Sequence, residues 1–241
     1  MGSPKKESCE LPSWGIMKHD DIKKIEKNKY TFLTQRIIQK LLQKFPLNKN
    51  QIKAQLYEIQ KYNKQLNNKV NYSDKAHYDY FKQEDTSLKT YEDLIRYLNI
   101  DYNLGINYDT IIKEMKEYSP VILQVKQTLN RLRPHQASHL LKIPIKHLDS
   151  ESANTPSMPA GHSAQGMLVA AILYRNNKPF FDTNEKVLNK VMNVCLDVGR
   201  RRIIAGLHYP IDHQAAKVLV LEVVEDWDIP LYVKLLNESL P

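Results

Sequence analysis

Residues 159–174 read PAGHSAQGMLVAAILY. A flexible Gly161 and a single His162 stand shortly before an apolar run, MLVAAILY. The run predicts a buried helix from about His162 to Tyr174. Two readings of the histidine follow. It is a bystander near a helix N-terminus, or it is an acid set beside the positive end of the helix dipole.

Working outward from this stretch, the remaining punctuation is also helical. NEKVLNKVMNVCLDVGRRRIIAGL (184–207) predicts a long helix that frays toward Gly206. PIDHQAAKVLVLEVVEDW (210–227) predicts another, with Pro210 in its first turn. SPVILQVKQTLNRLRP (119–134) offers Ser119 as N-cap and Pro120 at the first helical position. It should end near Arg133, because Pro134 disfavours helical geometry in the residue before it. A polar loop from about His135 to Gly161 is expected next. Further upstream, Phe32, Ile37, Leu41 and Phe45 recur at helical spacing before Pro46, and Ile52, Leu56 and Ile59 repeat the pattern. A segment opened by Ser73 has a capped look, and SLKTYEDLIRYLNI (87–100) is amphipathic. No period-two alternation bounded by turn pairs is found, and no internal repeat. The expected fold is all-α: a single-domain helical bundle with its active site at the ends of core helices. Residues 1–105 would form a basic N-terminal helical layer and 106–241 the catalytic core.

Composition sets wider bounds. The chain has 241 residues, 42% hydrophobic and 26% charged, as in an ordinary globular protein. Its longest apolar run falls far short of the roughly 18 residues that span a bilayer. The N-terminal stretch lacks the apolar core of a signal peptide. Cys9 and Cys195 are far apart and fit a reducing compartment or indifference to redox rather than a disulfide. The expectation is a soluble protein, cytoplasmic or otherwise intracellular, with no transmembrane segment. The net charge is +8. Residues 1–70 hold fifteen Lys and Arg against six Asp and Glu, so the surplus lies there. That segment could attract an anionic surface or polyanion, or it is a lysine-rich solvated face.

Three clusters carry chemistry. Lys126 and Arg133 are seven residues apart, and seven steps of about 100° return to one helix face. Two cations on one face need an anion or solvent. The second cluster is PAGHS (159–163), where unpaired backbone N–H groups and a small Gly161 suit a close-approaching oxyanion. There the dipole would pull the His162 pKa down and a bound anion would pull it up, a balance that suits a general acid. The third is RRRIIAGLHYPID (200–212). Asp212, four residues beyond His208, can hold one ring nitrogen and leave the other free to attack. Arg202 offers a planar fork for phosphoryl oxygens. Arg200 and Arg201 read as surface or helix-end charges.

The order Lys-x6-Arg-Pro, Gly-His, Arg-x5-His-x3-Asp resembles the superfamily that joins type 2 phosphatidic acid phosphatases, class A acid phosphatases and vanadium-dependent haloperoxidases. AGLHYPIDHQAA (205–216) looks most like the soluble acid phosphatases. The resemblance implies that Lys126, Arg133, Arg202 and the Gly161 amide bind phosphate. It implies that His208 attacks phosphorus to form a phosphohistidine, that Asp212 orients His208, and that His162 protonates the leaving oxygen. No metal and no cofactor enter that scheme. Two positions depart from the family pattern: Ala160 and Arg201 stand where serines are usual. Ala160 removes a hydroxyl donor, for which Ser163 could partly compensate.

The function expected first is an acid-phosphatase-like phosphoric ester hydrolase acting on a phosphorylated small molecule or lipid headgroup. A vanadium haloperoxidase is the alternative, with vanadate on His208 as cofactor. A polyanion-binding protein with a decayed phosphatase site is the third reading. His135 and His139 line the site entrance or lie on the surface.

Overall fold

The computed structural model describes residues 19–46, 48–69 and 86–239. Its elements in chain order are α1 (His19–Glu26), α2 (Thr31–Lys44), α3 (Lys49–Lys69), α4 (Thr86–Tyr102), α5 (Tyr108–Glu117), α6 (Ser119–Leu129) and α7 (Pro134–Leu141). A 3-10 turn (Glu151–Asn154) follows, then α8 (Gly161–Asn176), α9 (Lys178–Thr183), α10 (Glu185–Ile204), α11 (Pro210–Val223) and α12 (Pro230–Ser239). No strand occurs among the described residues, and the fold is all-α. The segment opened by Ser73 lies outside the described residues, as does Cys9.

Helix α8 is the axis of the bundle. Met167 through Tyr174 are each at most 2% exposed. A helix apolar on every side must be surrounded, and α5, α6, α10 and α11 pack around it. The tightest approach is at Gly166, where a Cβ would lie 2.3 Å from the Cys195 carbonyl oxygen of α10. Only a residue without a side chain lets the two backbones meet there. Cys195 is buried, and burial pushes its thiol up to about 12, which makes it an inert core residue.

The N-terminal helices share this core. Ile37, Leu41 and Phe45 of the α2 segment join the cluster that contains Val121, Val125, Leu219 and Val220. Phe32 breaks the expected stripe and is 85% exposed. It sits in the first turn of α2, on the side turned away from α6 and α11. Leu56 and Ile59 of α3 pack with Ala137, Ile143 and Tyr209. The Gln55 side chain accepts from the Ile211 amide at 3.0 Å, filling an otherwise unpaired N–H at the start of α11. The basic surplus is partly answered within the fold: Arg36 meets Glu222 at 2.8 Å and Glu225 at 2.6 Å, and Lys40 also meets Glu222.

The largest departure from the sequence expectation lies between Lys126 and Pro134. Helix α6 ends at Leu129, four residues early, because Asn130 takes a left-handed conformation (φ 41°, ψ 46°) and caps it. Residues 131–133 then run outside any helix, and Arg133 (φ −70°, ψ 153°) has the extended shape that proline imposes on its predecessor. Pro134 therefore opens a helix, α7, in the region expected to be loop. Ser119 is likewise inside α6, with Tyr118 at the N-cap and Pro120 one place further in.

Candidate active site

The motif residues converge at the ends of α6, α8 and α10 and the start of α11. Lys126 projects from the last turn of α6 and is 4% exposed. Its Nζ donates to the carbonyls of Pro156 at 2.7 Å and Ser157 at 3.2 Å. Gly161 packs against it, since a Cβ there would lie 3.4 Å from Lys126 Cε. Arg133 comes from the extended segment rather than from Lys126's helix, so the shared face expected from seven-residue spacing is not how the two meet. A turn of chain at Asn130 brings them together.

Arg133 is buried and donates widely: Nε to the Thr155 carbonyl at 2.7 Å, Nη1 to the Leu207 carbonyl at 2.8 Å, and Nη2 to Thr155 Oγ1 at 3.3 Å. Arg202, in the last turn of α10, donates to Ser150 Oγ at 3.0 Å and Ser152 Oγ at 2.8 Å. The loop 150–157 thus holds all three cations through its carbonyls and hydroxyls. Sequence showed a polar loop there, but nothing in it marked Ser150, Ser152 and Thr155 as partners of the cations.

His208 is buried in the turn before α11. Its Nδ1 lies 3.3 Å from Asp212 Oδ2 and its Nε2 lies 2.9 Å from Arg133 Nη1. A guanidinium has no acceptor, so Nε2 must be the bare nitrogen and Nδ1 must carry the proton. Burial, then Arg133, Lys126 and Arg202, hold the imidazole well below its usual range. It is therefore neutral at neutral pH, with its lone pair on Nε2.

Asp212 lies fully buried in the first turn of α11, where the Pro210 start was expected to place it. Its Oδ2 accepts from Ser157 Oγ, from the Tyr209 amide at 3.0 Å and from His208 Nδ1. Burial pushes the carboxyl up, while Arg131, Ser157, the Tyr209 amide and Lys126 push it back. Arg131 and Ser157 were not singled out from sequence.

His162, in the first turn of α8, is half-buried. Burial, then Arg202, Lys126 and Arg133, push its pKa well down, so it too is neutral in the free protein. Burial and Arg202 push Arg133 down to about 9, which leaves it charged at neutral pH. Lys126 is pushed well below its usual range by burial and by Arg133.

Ala160 is the N-cap of α8 and gives it no side-chain cap. Ser163 does not replace the missing hydroxyl: its Oγ is buried against Gly199 and His213 and makes no hydrogen bond. Arg201, read as a surface or helix-end charge, does lie in the last turn of α10 but is 3% exposed and pairs with Asp197 one turn earlier at 2.9 Å, while Arg200 is half-buried. The last turn of α10 faces the core as well as the site, so a charge there is buried. His135 is half-buried with its ring centre 5.0 Å from that of His147, the two rings tilted by 36°, and burial with that neighbour pushes it down to about 4. His139 is exposed.

Residues 115–219 match the family model described as PAP2 superfamily. Over these residues, somewhat under half of the chain, it is similar to the type 2 phosphatidic acid phosphatase superfamily. The match encloses Lys126, Arg133, Gly161, His162, Arg202, His208 and Asp212. No curated protein and no solved structure matches the chain. That similarity supports a phosphoester-hydrolase or haloperoxidase-like activity on phosphorylated substrates or their analogues. Among the described residues no helix is long and apolar enough to cross a membrane, and no group of three His, Cys, Asp or Glu could hold a metal ion.

Proposed function

We propose that the chain is a phosphoric ester hydrolase that works through a phosphohistidine on His208. The observation that carries this reading is electrostatic. Lys126, Arg133 and Arg202, each at most 4% exposed, surround a neutral imidazole, with Asp212 as the buried carboxylate among them. Buried like charges are costly without a counter-charge. A phosphoryl dianion supplies the charge that this cluster lacks, and the bare Nε2 supplies the nucleophile.

In this scheme the substrate phosphoryl group draws Lys126, Arg133 and Arg202 from the carbonyls and hydroxyls of the 150–157 loop. Arg133 leaves Nε2 and takes a phosphoryl oxygen. The freed lone pair attacks phosphorus in line, the P–N bond forms, and the P–O ester bond breaks. His162, protonated once the anion is bound, gives its proton to the leaving oxygen. Asp212 balances the charge that appears on His208. Neutral His162 then takes a proton from water, whose oxygen attacks phosphorus and releases His208. Fixed cations and the α8 N-terminus stabilise the equatorial charge in both steps.

The test is hydrolysis of p-nitrophenyl phosphate by the full chain, with acid-labile labelling of the protein by a rapidly quenched phosphoester. Activity and label should both disappear in His208→Ala. Wild-type protein that hydrolyses no phosphoester would overturn the reading. Halide oxidation by peroxide after vanadate loading, without phosphatase activity, would replace it with haloperoxidase chemistry. Retention of a polyanion by an inactive wild type would favour a binding protein.

A further inference from the structure

The proposed chemistry uses Lys126, Arg133 and Arg202 but leaves a fourth buried cation unexplained. Arg131 is 3% exposed. Its Nη1 donates to Met158 Sδ at 3.4 Å, its guanidinium carbon lies 6.0 Å from the centre of the Tyr209 ring, and its Nε has no hydrogen-bond partner. These are weak contacts for a group with five donors. A buried guanidinium so poorly hydrogen-bonded needs a charge partner. Asp212 is that partner: its Oδ1 lies 3.9 Å from Arg131 Nη1 and accepts no hydrogen bond among the described residues.

We propose that Arg131 is a positioning residue, the dedicated counter-charge of Asp212, which through that carboxylate keeps His208 in its attacking tautomer and orientation. This inference rests on the reading of His208 as nucleophile. The two carboxylate oxygens have separate duties. Oδ2 takes Ser157, the Tyr209 amide and His208, while Oδ1 faces Arg131. The charged and titratable groups around the carboxyl are Arg131 and Arg133 from the extended segment, Lys126 from α6, and His208 and Tyr209 from the turn before α11. When a phosphoryl dianion enters, Lys126 and Arg133 turn their charge to it, and the dianion itself disfavours an ionised carboxylate nearby. Arg131, on the Oδ1 side, is the cation that stays with Asp212 through the reaction. An Asp212 that took up a proton would no longer hold Nδ1–H as an ionic acceptor, and His208 would lose both its tautomer and its charge partner.

The experiment follows the Asp212 carboxyl directly, by carbon-13 NMR titration of protein labelled at aspartate carboxyl carbons and assigned by loss of a resonance in Asp212→Asn. The midpoint should rise by at least one pH unit in Arg131→Met and by less in Arg131→Lys. In parallel, p-nitrophenyl phosphate turnover in Arg131→Met should show kcat reduced at least tenfold with KM changed less than threefold. The acid limb of its profile should shift upward, and Arg131→Lys should restore most of kcat. An unchanged Asp212 midpoint in Arg131→Met, with native circular dichroism, would overturn the proposal, and if Arg131→Met does not fold, the equally uncharged Arg131→Gln decides by the same readout. Because the titration needs no turnover, an inactive wild type would defeat the proposed hydrolase and still leave the Arg131–Asp212 coupling decided.

Discussion

Arg133 Nη1 sits 2.9 Å from His208 Nε2, so the free site keeps the imidazole lone pair hydrogen-bonded to a buried guanidinium. One guanidinium both defines the tautomer and covers the atom that attacks phosphorus in the proposed reaction. In the proposed reaction substrate must displace it before attack. Arg133→Lys keeps a positive charge but loses the planar fork that reaches Leu207, Thr155 and His208 together. The expected outcome is a fall in kcat/KM of about two to three decades, the scale of losing one fixed transition-state donor. Steady-state kinetics with p-nitrophenyl phosphate check this, and an Arg133→Lys variant within threefold of wild type would contradict the dual role.

To act as the proposed acid, His162 must change protonation state on binding. In the free protein burial and three cations push it well below its usual range, so it is neutral near pH 7. An acid needs a proton, and a bound dianion raises the pKa by cancelling the field of Arg202, Lys126 and Arg133. Vanadate or phosphate binding near pH 7 should therefore be coupled to uptake of up to one proton, on top of any change in the anion itself. Calorimetry in buffers of different ionisation heat measures the uptake. It should disappear in His162→Asn, and equal uptake in that variant would assign the proton elsewhere.

Ala160 leaves the α8 N-terminus without a side-chain cap, and Ser163 faces Gly199 and His213 instead of filling that place. Ala160→Ser restores one hydroxyl. A hydrogen bond from it is worth about 1–3 kcal/mol if it reaches a charged oxygen, or roughly one to two decades in rate. The variant should gain phosphatase activity or bind vanadate more tightly. No gain in either would show that the missing hydroxyl does not limit the site.

His213 couples stability to pH. It is 3% exposed, neither ring nitrogen has a hydrogen-bond partner, and burial pushes it down to about 4. The unfolded chain binds a proton at His213 near pH 6.5 and the folded chain does so only near 4. Between those values the unfolded state carries more protons, so stability falls as pH falls. The shift corresponds to a loss on the order of 3 kcal/mol across that window from this residue alone. Urea unfolding at pH 7 and pH 5 should show reduced stability at the lower pH. His213→Leu should flatten that dependence, and an unchanged slope would exclude His213 as a main contributor.

The elements most legible in the sequence were those with local causes. MLVAAILY could only be a buried helix, and the prolines at 120, 134 and 210 mark where geometry changes. The turn-plus-helix spacing of His208 and Asp212 is local as well, because four residues across a Pro210 helix start place both on one side. The Lys126–Arg133 relation was misread because a seven-residue spacing also fits an uninterrupted helix. Asn130 ended that helix through a left-handed conformation, which asparagine tolerates but does not announce. The helix-end position of Arg201 is legible, but nothing in a run of three arginines tells that Arg201 turns inward with Arg202.

What the sequence determined by itself is the helical character of the chain, the order of its three motifs and the kinds of side chain available for phosphate chemistry. Propensity, proline geometry and apolar patterning are properties of neighbours in the chain, so they can be read there. The tertiary structure decided the rest. It set the 150–157 loop on the cations, gave Asp212 both Ser157 and Arg131, and directed Arg133 to Nε2 of His208. Those relations join residues 19 to 81 positions apart, and they depend on how α6, α8, α10 and α11 cross. Crossing geometry is set by packing around Gly166 and the apolar α8 axis, a long-range balance that no local pattern records.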